Sequence, residues 1–452
     1  MKLNIIITQI ITTQVIIMKF YNRIAELGLL KKADDLKNTH SVMTILIGRR
    51  RIGKTTLALQ PFTKEPKLYF FVSKKEESLL CEEFLEEIKD KLALPIFGEI
   101  KTFENLFALL MQTAKSISFT LVIDEFQEFE RINSSIYSVM QRIWDTNKSS
   151  TKMHLILSGS IYSLMKKIFE NSHEPLFGRA DFKLHLQPFR VSTLQEILKD
   201  YDTSSAKNLL DFFILTGGVA KYIELFINVK AFDRISMINE IVNPHGLFLD
   251  EGRNRLIEEF GKEYGVYFSI LSLIANSKTS KGEIESILEK NISGYLYRLE
   301  NDYNIIKSIK PINAKPNAKV QKYEIVDNFL YFWFRFIFKY QSLIEAGSFE
   351  KLKEIMLRDF DMFSGKFLEK LFVDQFKEQQ QFTHIGSYWE RGNQNEIDIV
   401  AIDELEKTMM ICEVKLAKKR LDQAILEKKA KKLLADYPNY TIEWKLLSLE
   451  DV

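Results

Sequence analysis

The stretch Gly48-Arg49-Arg50-Arg51-Ile52-Gly53-Lys54-Thr55 follows the strand-like run Val42 to Ile47 and opens the helix-like run Thr56 to Gln60. Its G-x-x-x-x-G-K-T spacing is that of a phosphate-binding loop. Two glycines let the backbone wrap an anion, so that consecutive N–H groups and a helix N-terminus point at phosphates. In this role Gly48, Arg49, Arg50, Arg51, Ile52, Gly53, Lys54, Thr55 and Thr56 form a nucleotide cradle. Lys54 reaches the β- and γ-phosphates, and the Thr55 hydroxyl sits on a Mg²⁺ ion that keeps most of its water shell. A basic glycine turn on the surface is the plainer alternative. The strand before and the helix after decide for the loop.

Downstream, Phe119 to Ile123 is an apolar run, as expected of a buried parallel strand, and it ends in Asp124-Glu125. At such a strand tip Asp124 holds the metal's water shell and Glu125 polarises the attacking water. A further strand, His154 to Leu157, ends in Ser158-Gly159-Ser160, so either Ser158 or Ser160 is a candidate sensor of the γ-phosphate. Pro175 to Arg179 and a last strand, Phe182 to Leu186, follow; Arg179 is a candidate arginine finger, in its own chain or in a neighbouring copy.

Together with Thr216-Gly217-Gly218-Val219-Ala220-Lys221-Tyr222, these motifs resemble the prokaryotic AAA-type ATPases that carry a C-terminal nuclease-like domain, over nearly the whole chain from Met18. The resemblance implies an α/β fold: a five-stranded P-loop parallel sheet core, a helical lid, a winged-helix domain and a restriction-endonuclease-like α/β domain. It divides the chain into 18–190 (ATPase core), 191–260 (lid), 261–328 (winged helix) and 329–452 (nuclease-like), with ATP and Mg²⁺ as cofactors and DNA as a partner. Ala220 departs from the pattern, standing where proline is expected.

Composition agrees with a multidomain globular chain. At 452 residues it is too long for one compact core, and 63 Lys+Arg against 61 Asp+Glu leave any DNA-binding surface to local patches. Cys81 and Cys412 lie far apart without metal-ligand spacing, which fits a reducing, cytoplasmic compartment. The run Leu3 to Ile17 is interrupted by polar residues and too short to span a bilayer; Met18 reads as the native start, with 1–17 an N-terminal extension. Phe329 to Phe338 is short and carries Arg335, so no membrane segment is expected.

Between Glu263 and Asp327 the pattern is three helices (Tyr264 to Ala275, Lys281 to Leu288, Gly294 to Leu299) and two short strands, Ile305 to Lys307 and Lys322 to Ile325. Lys307, Lys310, Lys315, Lys319 and Lys322 on that hairpin suit DNA phosphates; a protein-docking module carries the same pattern.

At the C-terminus, Glu396 to Val400 and Met410 to Lys415 read as paired strands. Period-two alternation places Glu413 and Lys415 on one face, and pairing brings Asp398 to them. Asp398 and Glu413 would bind one Mg²⁺, with Lys415 as the catalytic cation. This D…ExK order looks like the PD-(D/E)xK nuclease core, and Glu369 matches an acidic helix residue of that superfamily. Lys418, Lys419, Arg420, Lys428, Lys429, Lys431 and Lys432 make the end locally basic, as a DNA-facing surface or a solvated helix face. The function expected is ATP hydrolysis coupled to DNA binding, with a metal-dependent nuclease-like effector. The alternative is a nucleotide-controlled DNA- or protein-binding switch with an inactive nuclease-like domain. Arg179 acting in trans would require a homo-oligomer.

Overall fold

The computed structural model describes residues 18–60, 65–96, 98–261, 264–315 and 320–452; the expected extension 1–17, Glu263 and Lys319 lie outside them. The first sheet holds β1 (Val42–Gly48), β2 (Lys67–Phe71), β3 (Phe119–Asp124), β4 (Met153–Gly159) and β5 (Phe182–Leu186) in the order β2-β3-β4-β1-β5. All four pairings are parallel. Every residue of β1, β3 and β4 is buried, because helices cover both faces of these inner strands; hence their unbroken apolar runs. Parallel order brings Gly48, Asp124 and Gly159 to one carboxyl edge, where open α/β sheets bind ligands.

From Val191 to Phe260 the chain is helical. The Gly217-Gly218 turn has φ of 56° and 72°, a left-handed pair that glycine adopts without strain. Ala220 is the first residue of the helix Ala220–Asn228, a position proline also favours, so the departure leaves the turn intact.

Helices Tyr264–Ala275, Lys281–Leu288 and Ser293–Tyr297 come next, the last prolonged by a wide turn, Arg298–Asp302. β6 (Ile306–Ile309) and β7 (Lys322–Ile325) then pair antiparallel. Two of the hairpin lysines, Lys307 and Lys322, have acidic partners in the structure. Lys307 lies 3.3 Å from Glu324; Lys322 lies 2.9 Å from Glu396 and stacks over Trp389. These partners come from the facing strand and from the residues around 389–396, which strand alternation alone does not reveal.

The helix Phe349–Gln379 leads to the second sheet, ordered β11-β10-β9-β8: β8 (His384–Tyr388), β9 (Ile397–Asp403), β10 (Thr408–Lys415) and β11 (Thr441–Ser448). β9 and β10 form the expected antiparallel pair, while β10 and β11 run parallel across the helix Gln423–Ala435. One apolar core runs from the helices after Val191 through Ile306 and Ile325 to Phe367 and Leu371 and on to the β9–β10 face at Ile399 and Cys412. Among the described residues no helix is long and apolar enough to cross a membrane.

Candidate nucleotide and acid–lysine sites

The phosphate loop turns between β1 and the helix Lys54–Ala58. Gly53, at φ 96°, is its left-handed cap, a conformation that lets the helix begin at Lys54. The Lys54 ammonium donates to the Gly48 carbonyl (2.8 Å) and the Arg49 carbonyl (3.1 Å), folded over the loop it serves. Burial lowers its pKa, against the charges of Glu125 and Asp124. Thr55 Oγ1 donates to Asp124 Oδ2 at 2.6 Å, and Tyr69 OH donates to the same oxygen at 3.1 Å. A hydroxyl and a carboxylate meeting beside a lysine make a donor set that fits Mg²⁺ bound with a nucleotide, since this ion needs few protein ligands.

Glu125 follows in a left-handed conformation (φ 52°), and its Oε2 accepts from Ser160 Oγ and Gln127 Nε2, each at 2.6 Å. Gly159 makes room for this: a Cβ there would lie 2.4 Å from Gln127 Oε1. Of the two candidate serines, Ser160 therefore reaches the site. Ser158, inside β4, is fully buried and its hydroxyl has no partner among the described residues, whereas Ser160 lies just past the strand end at Gly159.

The loop arginine side chains are each held by an acidic partner. Arg49 bonds Asp327 (3.1 Å) and the Asn304 carbonyl, Arg50 bonds Glu258 (3.0 Å) and Arg51 bonds Glu251. Arg51 still lines the nucleotide cavity, whereas Arg49 does not. Arg179 bonds Asp145 and the Phe177 carbonyl and is not among the residues lining the nucleotide cavity.

That cavity, about 600 Å³, is large enough for a nucleotide. Besides the loop, Thr56, Asp124 and Glu125, it is lined by Met18 to Tyr21, Arg23, Tyr69, Phe189 and Lys221. Tyr21 and Asn22 are tied to the helix Val191–Asp200: Tyr21 OH donates to Asp200 and Asn22 to Thr193. Arg23 stacks over Phe189, is only 7% exposed and holds one guanidinium nitrogen without a partner among the described residues. Sequence reasoning saw Arg23 and Glu26 only as a helical pattern; they are in fact an ion pair at 3.2 Å.

At the second sheet, Asp398 Oδ2 accepts from Val414 N (2.8 Å) and Lys415 Nζ (3.0 Å), while Lys415 lies 2.9 Å from Glu413. Lys429, from the helix Gln423–Ala435, contacts both Glu413 oxygens at 2.9 Å, a partner that lies outside the strand pattern. Burial raises the Asp398 carboxyl, against the Val414 N–H bond; burial and the Asp398 charge push Glu369 up to about 8. Burial opposes the charge on Lys415, but Asp398 and Glu413 outweigh it and raise its pKa. Among the described residues no group of three or more His, Cys, Asp or Glu side chains is arranged to hold a metal ion. Two carboxylates meeting two lysines fit a metal less well than the Thr55–Asp124 pair, because an ion here must displace Lys415. Glu396 turns out to Lys322.

A parallel sheet with a glycine-lysine-threonine loop at its carboxyl edge, an acidic strand tip beside it and a nucleotide-sized cavity between is a P-loop ATPase domain. In agreement, residues 20–226 match an ATPase domain family described as predominantly from Archaea, and residues 333–433 match a family of archaeal and bacterial proteins of unknown function. An uncharacterized protein of Methanocaldococcus jannaschii is 27% identical over 406 residues, which span 88% of this chain and 87% of that protein. The Walker-type ATPase of Pyrococcus abyssi has a similar fold (TM-score 0.53, 18% identity), covering 70% of this chain and 96% of that one. The ORC2 protein of Aeropyrum pernix compares at a TM-score of 0.48 and 15% identity, covering 74% and 98%.

Proposed function

We propose that the chain binds and hydrolyses ATP at the phosphate loop and couples nucleotide state to DNA through its C-terminal half. The observation that carries this reading is the Thr55–Asp124 contact beside Lys54 at the carboxyl edge of the sheet. Loop N–H groups and Lys54 hold the phosphates, Thr55 and Asp124 hold the Mg²⁺ shell, and Glu125, positioned by Ser160 and Gln127, accepts the proton of the attacking water. Mg²⁺ supplies charge neutralisation at the phosphates. Arg23, with its spare donor, suits an acceptor on the base.

In this reading residues 18–190 are the ATPase core, 191–260 the lid, 261–328 a winged helix and 329–452 a nuclease-like effector. DNA phosphates meet the exposed Lys418, Lys419, Arg420, Lys428 and Lys431 beside the acid–lysine cluster rather than the engaged hairpin lysines. Arg179 serves a neighbouring copy in a homo-oligomer. A second reading, a switch that binds DNA or a partner protein and cleaves nothing, is favoured by one observation: Lys415 and Lys429 both sit on Glu413.

Lys54→Ala should abolish tight nucleotide binding, and Glu125→Gln should keep binding while turnover falls at least ~100-fold. Undiminished turnover in Glu125→Gln removes the assigned base. Mg²⁺- and ATP-dependent cleavage of plasmid and single-stranded DNA, lost in both Lys54→Ala and Asp398→Ala, would establish an ATP-gated nuclease. Intact ATPase without cleavage selects the switch.

A further inference from the structure

The helix Phe248–Phe260 meets the nucleotide apparatus at four points. Glu251 holds Arg51; Arg255 shares Asp327 with Arg49; Glu258 holds Arg50; Glu259 accepts from Tyr162 N (3.0 Å) and Ser163 Oγ (3.1 Å), just past Ser160. Positions 251, 255, 258 and 259 share one helical face, so this side of the helix is spent on the loop and on the strand end that holds Glu125.

The three loop arginines are not held alike. Glu251 and Asp327 are almost completely buried, and such pairs are costly to break. Arg50 and Glu258 are 45% and 37% exposed, and an exposed pair in water is weak. Arg50 borders the nucleotide cavity on one side and, on the other, a small cleft that it shares with Ser160 and Glu258. Its charge is also felt at Lys54, whose pKa it helps to lower. A triphosphate seated on Lys54 therefore presents strong negative charge within reach of the one loop arginine whose present partner holds it loosely.

We propose that Arg50 is the arginine that stabilises the transferred γ-phosphoryl group within its own chain, and that it reaches the phosphate by leaving Glu258. This rests on the ATPase reading above. In the hydrolytic step the water oxygen bonds to the γ-phosphorus and its proton passes to Glu125. The bond to the β–γ bridging oxygen breaks and ADP leaves with the electron pair. Arg50 donates N–H groups to the γ-phosphoryl oxygens and is unchanged afterwards. Release of Glu258 loosens the Phe248–Phe260 helix from the loop. That helix packs Gly252 under the Trp333 ring and accepts the Trp333 indole N–H at the Leu249 carbonyl (2.9 Å), so its shift is passed into the C-terminal half.

The test compares wild type with Arg50→Gln, Arg179→Gln and Glu258→Gln, reading ATP turnover, affinity for a fluorescent ATP analogue, and hydrogen exchange over 248–260 with and without a slowly hydrolysed ATP analogue. Arg50→Gln should lose roughly 100-fold or more in turnover, with affinity changed less than about tenfold. Glu258→Gln should turn over a few-fold faster than wild type. The analogue should speed exchange over 248–260 in wild type and not in Arg50→Gln. Turnover of Arg50→Gln within about threefold of wild type overturns the assignment. If the wild type hydrolyses no ATP, the ATPase reading fails by itself and the exchange arm decides: loosening that needs Arg50 supports the contact, and equal exchange in both proteins, or no nucleotide response, overturns it.

Discussion

Asp327 balances the charges where the phosphate loop meets the C-terminal half. Its carboxylate accepts from Arg255 (2.8 Å), Arg49 (3.1 Å) and the Leu330 N–H (2.8 Å), which caps the helix Asn328–Phe332. Burial alone would raise its pKa, but Arg255 and then Arg49 hold it at about 2, below the ordinary 3.8. A carboxyl depressed in the folded state adds stability that is fully present above the unfolded value and is lost as pH falls through the folded one. Asp327→Asn should therefore cost about 3–5 kcal/mol near neutral pH, by stranding two buried guanidinium groups. It should also flatten the fall in stability between roughly pH 4 and 2, read by urea unfolding across that range. An equally steep acid limb in the variant would place the titration elsewhere. Gly252 tests packing in the same region. A Cβ there would lie 2.2 Å from a Trp333 ring carbon, so Gly252→Ala should destabilise by about 1–3 kcal/mol despite the better helix propensity of alanine. A gain in melting temperature would show that the ring yields.

At the level of elements, the β6–β7 hairpin is a bridge. The connection after β6 reaches the edge of the second sheet through Ile312 N, which donates to the Ser387 carbonyl (2.9 Å), and Asn313 bonds Asp436 (2.8 Å), just past the helix Gln423–Ala435. Its returning strand brings Lys322 onto Trp389 and Glu396. Cation–π contact at a partly buried site contributes roughly 0.5–2 kcal/mol. Lys322→Ala should accordingly speed hydrogen exchange in 306–309 and 322–325 and shift the Trp389 fluorescence to the red, with no change in the melting of the ATPase core. Unaltered exchange would show that the backbone and Asn313 contacts suffice to dock the hairpin. Protection of the hairpin lysines on binding duplex DNA would return them to the phosphate-binding role expected from their spacing.

For the whole molecule, the continuity of the apolar core has a direct consequence. Phe212, Ile238, Phe329, Leu352, Phe360 and Leu368 belong to one buried cluster, so the helical region after Val191 is covered by the helix Phe349–Gln379. A chain cut after residue 328 leaves that apolar surface in water and should aggregate or bind a hydrophobic dye strongly. Limited proteolysis of the intact protein should not release a stable 18–328 fragment. Recovery of such a fragment, soluble and melting cooperatively, would show that the helical region has a core of its own.

The phosphate loop, the Asp124-Glu125 strand tip and the Asp398, Glu413 and Lys415 set were legible in the sequence. Each rests on local spacing: a turn before a helix, an apolar run ending in acid, and strand alternation that fixes which side chains share a face. Whether Ser158 or Ser160 reaches Glu125, which partners take Arg49, Arg50, Arg51 and Lys322, and why Arg23 lines the nucleotide cavity were settled by tertiary structure alone. Those contacts join residues up to 278 positions apart, as in Arg49 with Asp327. Local periodicity has no access to such pairs, because a long side chain finds its partner only after packing has brought distant elements together. The same reason explains why the lid and hairpin read as separate units along the chain and yet share one buried core: the spacing of apolar residues shows which face of an element is buried, not which other element buries it.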